Sequence, residues 1–80
     1  MCYVYLIKSI NYPNQVYVGF TENLEQRLTD HNMGSSHHTK QYKPWAIIVS
    51  MQFPDKLKAL AFEKYLKSGS GRAFAQKRFW

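Results

Sequence analysis

Two short segments near the start of the chain constrain its fold more than any other feature. Residues 3–8 (YVYLIK) and 16–20 (VYVGF) are both rich in β-branched and aromatic side chains, the composition of β-strands. Residues 11–15 (NYPNQ), which separate them, contain proline and asparagine, which interrupt regular structure. Because parallel strands need a much longer crossover, a connection this short predicts an antiparallel hairpin. Gly19, inside the second segment, indicates a bulge or a close approach of another group to the backbone.

The residues after the hairpin predict a first helix. Asn23 is a suitable N-cap, and Gln26, three residues later, is its expected partner in a capping box. The helix is expected to continue to about Met33, because Gly34 is the residue type that most often follows a helix end. Residues 34–44 (GSSHHTKQYKP) then predict a polar, basic loop.

The second half of the chain predicts one more strand and one or two helices. Residues 45–51 (WAIIVSM) read as a third strand that is apolar enough to be buried. Asp55 follows Pro54 and can cap a second helix that runs to about Lys67. Residues 68–71 (SGSG) predict a flexible break, after which residues 72–79 could form a short terminal helix.

This order of elements predicts an α+β fold, with a small three-stranded antiparallel sheet flanked by two or three helices. Eighty residues fit one domain, which we expect to span 1–80. A chain of this size buries only about 60% of the surface that its unfolded form exposes. The 16% aromatic content therefore matters, because each aromatic side chain buries a large area.

The charge balance favours an anionic partner. Eleven Lys and Arg residues against five Asp and Glu residues give a net charge of +6, which suits nucleic acid, although a charge that only aids solubility is the alternative. Cys2 is the sole cysteine, so no internal disulfide can form. No secretory signal precedes the short apolar run near the start, and no apolar run reaches the roughly 20 residues of a membrane span. We expect a soluble, cytoplasmic protein that does not bind membranes.

A charged stripe on the first helix is the first candidate for a functional site. Leu24, Arg27, Leu28 and His31 have the spacing of one helix face. The two leucines indicate that this face packs on the sheet, and a charge there is costly unless it meets a partner or borders a cleft. Two alternatives stay open: Arg27 extends past the leucines to solvent, or His31 is a cation that stabilises the helix C-terminus.

Glu63 is the acid most suited to a cleft, since the other four lie on the polar side of the first helix or at a predicted cap. One carboxylate can hold Mg²⁺ together with water and substrate phosphate. The alternative is an ion pair with Lys67, four residues later on the same helix. Tyr3, Tyr5 and Tyr17 lie in predicted strands, where tyrosine is common and usually part of the core.

Two basic and aromatic segments are candidates for nucleic-acid contacts. Residues 40–45 (KQYKPW) and residues 72–80 both interleave cations with aromatic side chains, a mixture that serves phosphate attraction and base stacking. A solvent-exposed face with anchoring aromatics is the alternative. The candidate residues are Lys40, Tyr42, Lys43, Arg72, Lys77 and Arg78.

The order of these motifs resembles the GIY-YIG nuclease superfamily along nearly the whole chain. Residues 3–5 (YVY) are similar to the first motif, with Tyr3 at the position of its usual glycine, and residues 17–19 (YVG) are similar to the second. Residues 21–32 (TENLEQRLTDHN) and 63–71 (EKYLKSGSG), together with the Lys43-Pro44-Trp45 turn, resemble a compact single-domain bacterial branch. That branch is similar to the nuclease module of an excision-repair endonuclease.

The resemblance implies hydrolysis of a phosphodiester with one divalent cation, Mg²⁺ or Mn²⁺. It implies that Tyr17 is the general base or relays the proton, and that Tyr5 positions the water or Tyr17. Arg27 would stabilise the charge of the transition state, and His31 would assist proton transfer or contact phosphate. Glu63 would hold the metal.

The chain departs from the family pattern at three positions: the first glycine is absent, Phe20 stands where some members have lysine, and no asparagine follows Asn32. The expected function is a metal-dependent endonuclease acting on DNA, or RNA, in a structure-directed role in repair or recombination. The alternatives are a nucleic-acid-binding module of the same fold that has lost catalysis, and a module whose basic face meets an acidic protein. A homodimer or a targeting protein partner would supplement its small recognition surface.

Overall fold

An antiparallel sheet of three strands, with the first strand in its centre, organises the fold. The structure is a computed structural model and describes all 80 residues. In chain order the elements are β1 (Cys2–Ser9), β2 (Val16–Thr21), α1 (Leu24–Met33), a 3₁₀ turn at Lys40–Tyr42, β3 (Trp45–Phe53), α2 (Lys56–Leu66) and α3 (Gly69–Arg78). The predicted α+β class, with its three-stranded antiparallel sheet flanked by three helices, is confirmed.

The strand order is β2-β1-β3, so both later strands are edges. In the predicted hairpin, Tyr5 of β1 pairs with Gly19 of β2, and Ile7 pairs with Tyr17. The expectation of a buried third strand is wrong, because β3 lies at an edge and Ile47 and Ile48 are exposed. The buried strand is β1, which has neighbours on both sides and helices on both faces.

The two faces of the sheet form separate apolar clusters because successive side chains of a strand point in opposite directions. Val4 and Leu6 pack on one face with Ala59 and Leu66 of α2 and Ala75 of α3. On the other face, Tyr5, Ile7 and Trp45 pack with two leucines of α1 and with Tyr42. The helices therefore cover the sheet from both sides, with α1 opposite α2 and α3.

The ends of α1 follow the predicted signals in part. Asn23 Oδ1 accepts a hydrogen bond from the backbone N–H of Gln26 at 3.1 Å, as an N-cap should. Gln26 does not complete a capping box, since the Asn23 N–H that its side-chain oxygen would accept from donates to Thr21 Oγ1 at 3.1 Å instead. Gly34 ends the helix in the left-handed region with φ of 81°, where glycine has no steric penalty.

The expected flexible break over residues 68–71 is also wrong. Ser68 caps α3, its Oγ accepting from the Gly71 N–H at 3.2 Å, and the helix begins at Gly69. Gly71 lies against the backbone of Tyr65, where a Cβ would collide with the carbonyl. Gly71 therefore permits a tight α2–α3 junction.

None of the helices is long and apolar enough to cross a membrane.

Candidate active site

Tyr5 is the centre of the candidate site. Its side chain is buried and crosses β2 at Gly19, where a Cβ would collide with the phenol ring and its hydroxyl. The predicted close approach at Gly19 is thus confirmed, and the approaching group is Tyr5. The Tyr5 hydroxyl accepts a hydrogen bond from Arg27 Nε at 3.2 Å and shares another with His31 Nε2 at 2.8 Å. Three predicted site residues are therefore joined directly.

His31 is fully buried between two hydroxyl groups. Its Nδ1 lies 2.6 Å from Thr39 Oγ1, and its Nε2 bonds to Tyr5. Burial and, second, the charge of Arg27 lower the pKa of His31 to about 4, against the opposing charge of Asp30. The imidazole is neutral at pH 7, so one ring nitrogen donates and the other accepts. The alternative of a cation stabilising the helix C-terminus is wrong.

Arg27 faces the sheet and is only partly exposed. Burial lowers the pKa of its guanidinium, but the hydrogen bond and charge interaction with Tyr5, and those with Tyr17, outweigh this and raise the pKa above its usual value. Arg27 therefore stays charged. Nε donates to Tyr5, so the two terminal nitrogens, close to Tyr17, are the groups of Arg27 that can reach an anion at this edge. The alternative in which Arg27 merely extends past the leucines to solvent does not describe this arrangement.

The Tyr5 phenol stays protonated at neutral pH. Its pKa is raised to about 12, mainly because burial desolvates the phenol; the hydrogen bond and charge of Arg27 oppose this rise, and the charges of Tyr17 and Glu63 add to it. A group in this state can donate and accept hydrogen bonds but does not act as a base. Its geometry fits the predicted positioning role.

Tyr17 lies at the β2 edge, where helices from both faces of the sheet meet. Its ring centroid is 5.2 Å from that of His31 on α1 and 6.3 Å from that of Tyr5. On the other side, the Lys67 ammonium lies 5.7 Å from the Tyr17 centroid, at the end of α2. The ring is half-buried, so unlike Tyr5 it borders solvent. The structure thus gives the two tyrosines different environments.

Glu63 reaches the same edge from α2. Its Oε2 lies 3.0 Å from Lys67 Nζ, so the i, i+4 ion pair is present, and its side chain is only 20% exposed. Its partner Lys67 lies 5.7 Å from the Tyr17 ring centroid, so the carboxylate comes near the β2 edge from the other face of the sheet, close enough for its charge to act on Tyr5. The ion pair with Lys67 is therefore present, and the role of Glu63 as a carboxylate turned toward a cleft stays a prediction.

The donor chemistry near Glu63 fits a weakly held hard cation. No group of three or more His, Cys, Asp or Glu residues converges here or elsewhere in the chain. A single carboxylate can hold Mg²⁺ or Mn²⁺ when substrate phosphate and water complete the coordination. Glu63 would be the protein's ligand, and the cation would compete with Lys67 for it.

The predicted nucleic-acid-binding residues are spread over several surfaces, and their roles stay predictions. Lys40 and Lys43 are exposed beside Gly34, while Tyr42 packs edge-on against Tyr12 at 5.4 Å. Arg72 is exposed at the β2 edge, where its Nε donates to the Lys67 carbonyl at 3.2 Å. Lys77 and Arg78 are exposed in the last turn of α3, where cations also stabilise the helix end.

Two residues of the site were missed by sequence reasoning. Thr39 extends the chain of hydrogen bonds beyond His31, and nothing in the sequence marks it, since it lies eight residues away in an irregular loop. Lys67 was considered only as a partner of Glu63, although its ammonium also lies over Tyr17. The four-residue spacing of Glu63 and Lys67 predicts their ion pair, but it gives no indication that Lys67 also contacts Tyr17 of β2.

Comparison with known proteins gives one family match and several relatives. The model of the GIY-YIG catalytic domain matches residues 1–78. A UPF0213 protein of Staphylococcus haemolyticus is 33% identical over 69 residues, covering 85% of this chain and 82% of that protein. The solution structure of a UPF0213 protein from Bacillus halodurans matches with a TM-score of 0.57 and 27% identity, covering 95% of this chain and 81% of the other.

Longer relatives match over a smaller share of their length. The structure-specific endonuclease subunit SLX1 of Candida dubliniensis is 37% identical over 71 residues, which is 80% of this chain and 25% of that protein. The SLX1 subunit of Debaryomyces hansenii is 38% identical over 71 residues, 80% of this chain and 20% of that protein. The chain thus spans a quarter or less of the length of these relatives.

Proposed function

The chain belongs to the GIY-YIG family, and from this membership and the site geometry we propose that it is a metal-dependent endonuclease that hydrolyses phosphodiester bonds in DNA. One observation carries the proposal. The Arg27–Tyr5–His31 chain from α1 and β1 meets Tyr17 at the β2 edge, and Glu63 reaches that edge from the opposite face of the sheet. A domain that only bound nucleic acid would not need a carboxylate facing the phosphate site.

Binding of the scissile phosphate falls to Arg27 and Lys67. The terminal nitrogens of Arg27 can form a paired contact with two phosphate oxygens, while Nε remains on Tyr5. The Lys67 ammonium, partly exposed beside Tyr17, adds a second positive charge at the same edge. Some family members have a lysine directly after their second motif, at the position of Phe20 in this chain. Here Lys67 would supply that positive charge from the end of α2. Charge that builds up on the phosphate in the transition state would be stabilised by these fixed cations.

Proton transfer is assigned to Tyr17. Its half-buried ring borders solvent, so its hydroxyl can contact an attacking water and take or relay its proton. Tyr5, held protonated by burial, fixes the position of Arg27 and packs beside Tyr17. His31 is neutral and buried, so in this structure it holds Tyr5 rather than phosphate. A divalent cation on Glu63 would polarise the phosphate and stabilise the leaving oxygen.

The relatives support a structure-directed role in DNA repair or recombination as the finer proposal. The SLX1 proteins are named structure-specific endonuclease subunits, and their name as subunits supports a protein partner for this chain as well. With 80 residues, the chain has little surface for reading a long sequence, which favours recognition by shape.

The test is a cleavage assay with purified protein on branched, nicked, single-stranded and duplex DNA of one sequence, and on the matching RNA. Each substrate is incubated with Mg²⁺, Mn²⁺ or EDTA. Tyr17→Phe and Glu63→Gln should abolish cleavage while leaving the fold intact. Glu22→Gln is the matched control, since Glu22 also forms an ion pair, with Lys56 at 3.5 Å, but lies away from the site. Its activity should equal that of the wild type.

A second candidate function is a nucleic-acid-binding module of this fold without catalysis. It is favoured by one observation, the Lys67 ion pair that occupies the Glu63 carboxylate. Salt-sensitive binding with no metal-dependent cutting on any substrate would establish this candidate and reject the endonuclease. Arg27→Ala separates the two further. It should lower the cleavage rate by about 10²–10³ if the guanidinium serves the transition state, but only weaken binding if it is a phosphate anchor.

A further inference from the structure

A cavity of about 480 Å³ opens beside Tyr17, between the β2 edge and helices α2 and α3. One wall is apolar and consists of Val16, Val18, Leu66, Ala75 and Trp80. The polar side chains on the remaining wall are Tyr17, His38, Lys67, Arg72 and Gln76. Two of these, Tyr17 and Lys67, also belong to the candidate active site, so the cavity and that site share a wall.

The charge of the cavity is one-sided. Lys67 and Arg72 line the cavity and no acidic side chain does; the Lys67 ammonium is paired with Glu63 at 3.0 Å, so Arg72 is the cation of the lining without an ion-pair partner. The Arg72 guanidinium is held in place because its Nε donates to the Lys67 carbonyl, so its terminal nitrogens remain for an anion. An anionic ligand with an apolar part is therefore favoured over a cation or a purely apolar molecule.

Trp80 provides a fixed aromatic face. Its backbone N–H donates to the Ala75 carbonyl at 3.0 Å, and its side chain packs partly against the apolar cluster under α2 and α3. The indole stays half-exposed on the cavity side. A planar ring can stack on such a face, and every nucleobase offers one.

We propose that this cavity binds one unpaired nucleotide of the substrate strand, directly next to the phosphate that is cleaved. The base would stack on Trp80 within the apolar wall, and Arg72 would contact its phosphate. The proposal rests on the proposed function, because it takes the scissile phosphate to lie at Tyr17. The shared wall at Tyr17 and Lys67 makes the cavity the next position along a strand.

The size of the cavity decides between paired and unpaired nucleotides. Small-molecule sites commonly measure about 300–1,000 Å³, so this volume suits one nucleotide and excludes a base pair with its stacked neighbours. A base inside a duplex has both faces covered and cannot stack on Trp80 unless it leaves the helix. The cavity therefore predicts preference for a strand end, flap, gap or junction over a continuous duplex.

The test is equilibrium binding in EDTA, by fluorescence anisotropy, to a labelled duplex with a single-stranded flap, whose junction fixes where the protein binds, and to abasic versions with the missing base moved along the flap one position at a time. One position should stand out, where loss of the base weakens binding about 5- to 100-fold, the range for stacking of a single base on an aromatic side chain. This measurement uses the wild-type protein and needs no variant to fold.

The variant Trp80→Leu removes the stacking face but keeps an apolar side chain for the cluster beneath it. With the intact DNA, Trp80→Leu should weaken binding as much as loss of the base at the sensitive position weakens binding to the wild type. When the variant and the abasic DNA are combined, binding should fall no further, because both changes remove the same contact. Trp80→Phe should restore most of the affinity. Phe74→Leu is the matched control, since Phe74 is an exposed aromatic of α3, the helix that precedes Trp80, and packs on Tyr65 without lining the cavity. It should bind like the wild type.

The outcomes separate this proposal from the endonuclease. Equal affinity at every abasic position, or additive losses with Trp80→Leu, overturns the nucleotide site, whatever the cleavage assay shows. A single sensitive position that is coupled to Trp80 supports the site even if no substrate is cut, in which case the endonuclease proposal fails alone. Where cutting occurs, the sensitive nucleotide should adjoin the cleaved bond; a distant one also overturns the proposal.

Discussion

Acid should weaken the fold because His31 is buried in the neutral state. An unfolded histidine has a pKa near 6.5, and in the folded protein burial, with the charge of Arg27 and against that of Asp30, lowers it to about 4. Between these values the unfolded chain binds a proton that the folded protein does not, so stability falls as pH falls from 6.5 towards 4. The loss relative to pH 7 is about 2 kcal/mol at pH 5 and about 3 kcal/mol at pH 4.

The assay is urea unfolding at pH 7 and pH 5 for the wild type and for His31→Gln. Glutamine keeps a donor and an acceptor for Tyr5 and Thr39 but does not titrate. Carboxylates contribute equally to both proteins, so the informative quantity is the difference in unfolding free energy between them. Between pH 7 and pH 5 the wild type should lose about 2 kcal/mol more unfolding free energy than His31→Gln does. His37→Gln, at an exposed position, is the control and should show no shift.

A stability difference that stays constant between pH 7 and pH 5 would refute this reasoning. It would mean that His31 binds a proton in the folded protein as readily as in the unfolded chain. The hydrogen bonds at 2.8 and 2.6 Å would then have to accommodate an imidazolium, with a donor on both ring nitrogens.

Three further predictions concern other parts of the molecule. Gly19→Ala should lower stability by about 1–3 kcal/mol in urea unfolding, because the new methyl group collides with the Tyr5 ring; unchanged stability would contradict the close approach. Lys67→Met should raise the affinity for Mn²⁺, measured by calorimetry, about fivefold, because it frees Glu63 from an ion pair worth up to about 1 kcal/mol. The same variant should slow cleavage. Unchanged Mn²⁺ affinity would show that the ion pair does not compete with the metal. Replacing both Lys40 and Lys43 with Ala should reduce the slope of log affinity against log salt by about 2, and an unchanged slope would exclude that loop from the interface.

Local signals in the sequence predicted the hairpin and the helix ends well. Asn23, Gly34 and Asp55 act at their own positions through one or two backbone bonds, so neighbouring residue types suffice to identify them. The stripe of Arg27 and His31 on the sheet-facing side of α1 was predicted for the same reason. Its spacing is a property of the helix alone.

The errors concern long-range arrangement. Residues 45–51 have the composition of a buried strand, yet their burial depends on whether β1 or β3 takes the central position, which no local pattern specifies. The SGSG segment reads as flexible by composition, but Gly71 is needed because the backbone of Tyr65 lies against it. Thr39 and Lys67 enter the site through contacts between elements, which the spacing of residues cannot reveal.

The site and the fold depend on the same contacts, and this limits what mutation can separate. Tyr5 is part of the core on one face of the sheet, while its hydroxyl fixes Arg27 and bonds to His31. Removing that hydroxyl would leave Nε2 of the buried imidazole without a partner and the arginine without its orientation, so stability and rate should fall together. Tyr17 and Glu63 lie at the edge and are partly exposed; the Tyr17 ring packs against the cluster around Tyr5, but Tyr17→Phe keeps that ring and removes only the hydroxyl. Because of this division, substitutions at Tyr17 and Glu63 report on chemistry, whereas substitutions at Tyr5 report on both.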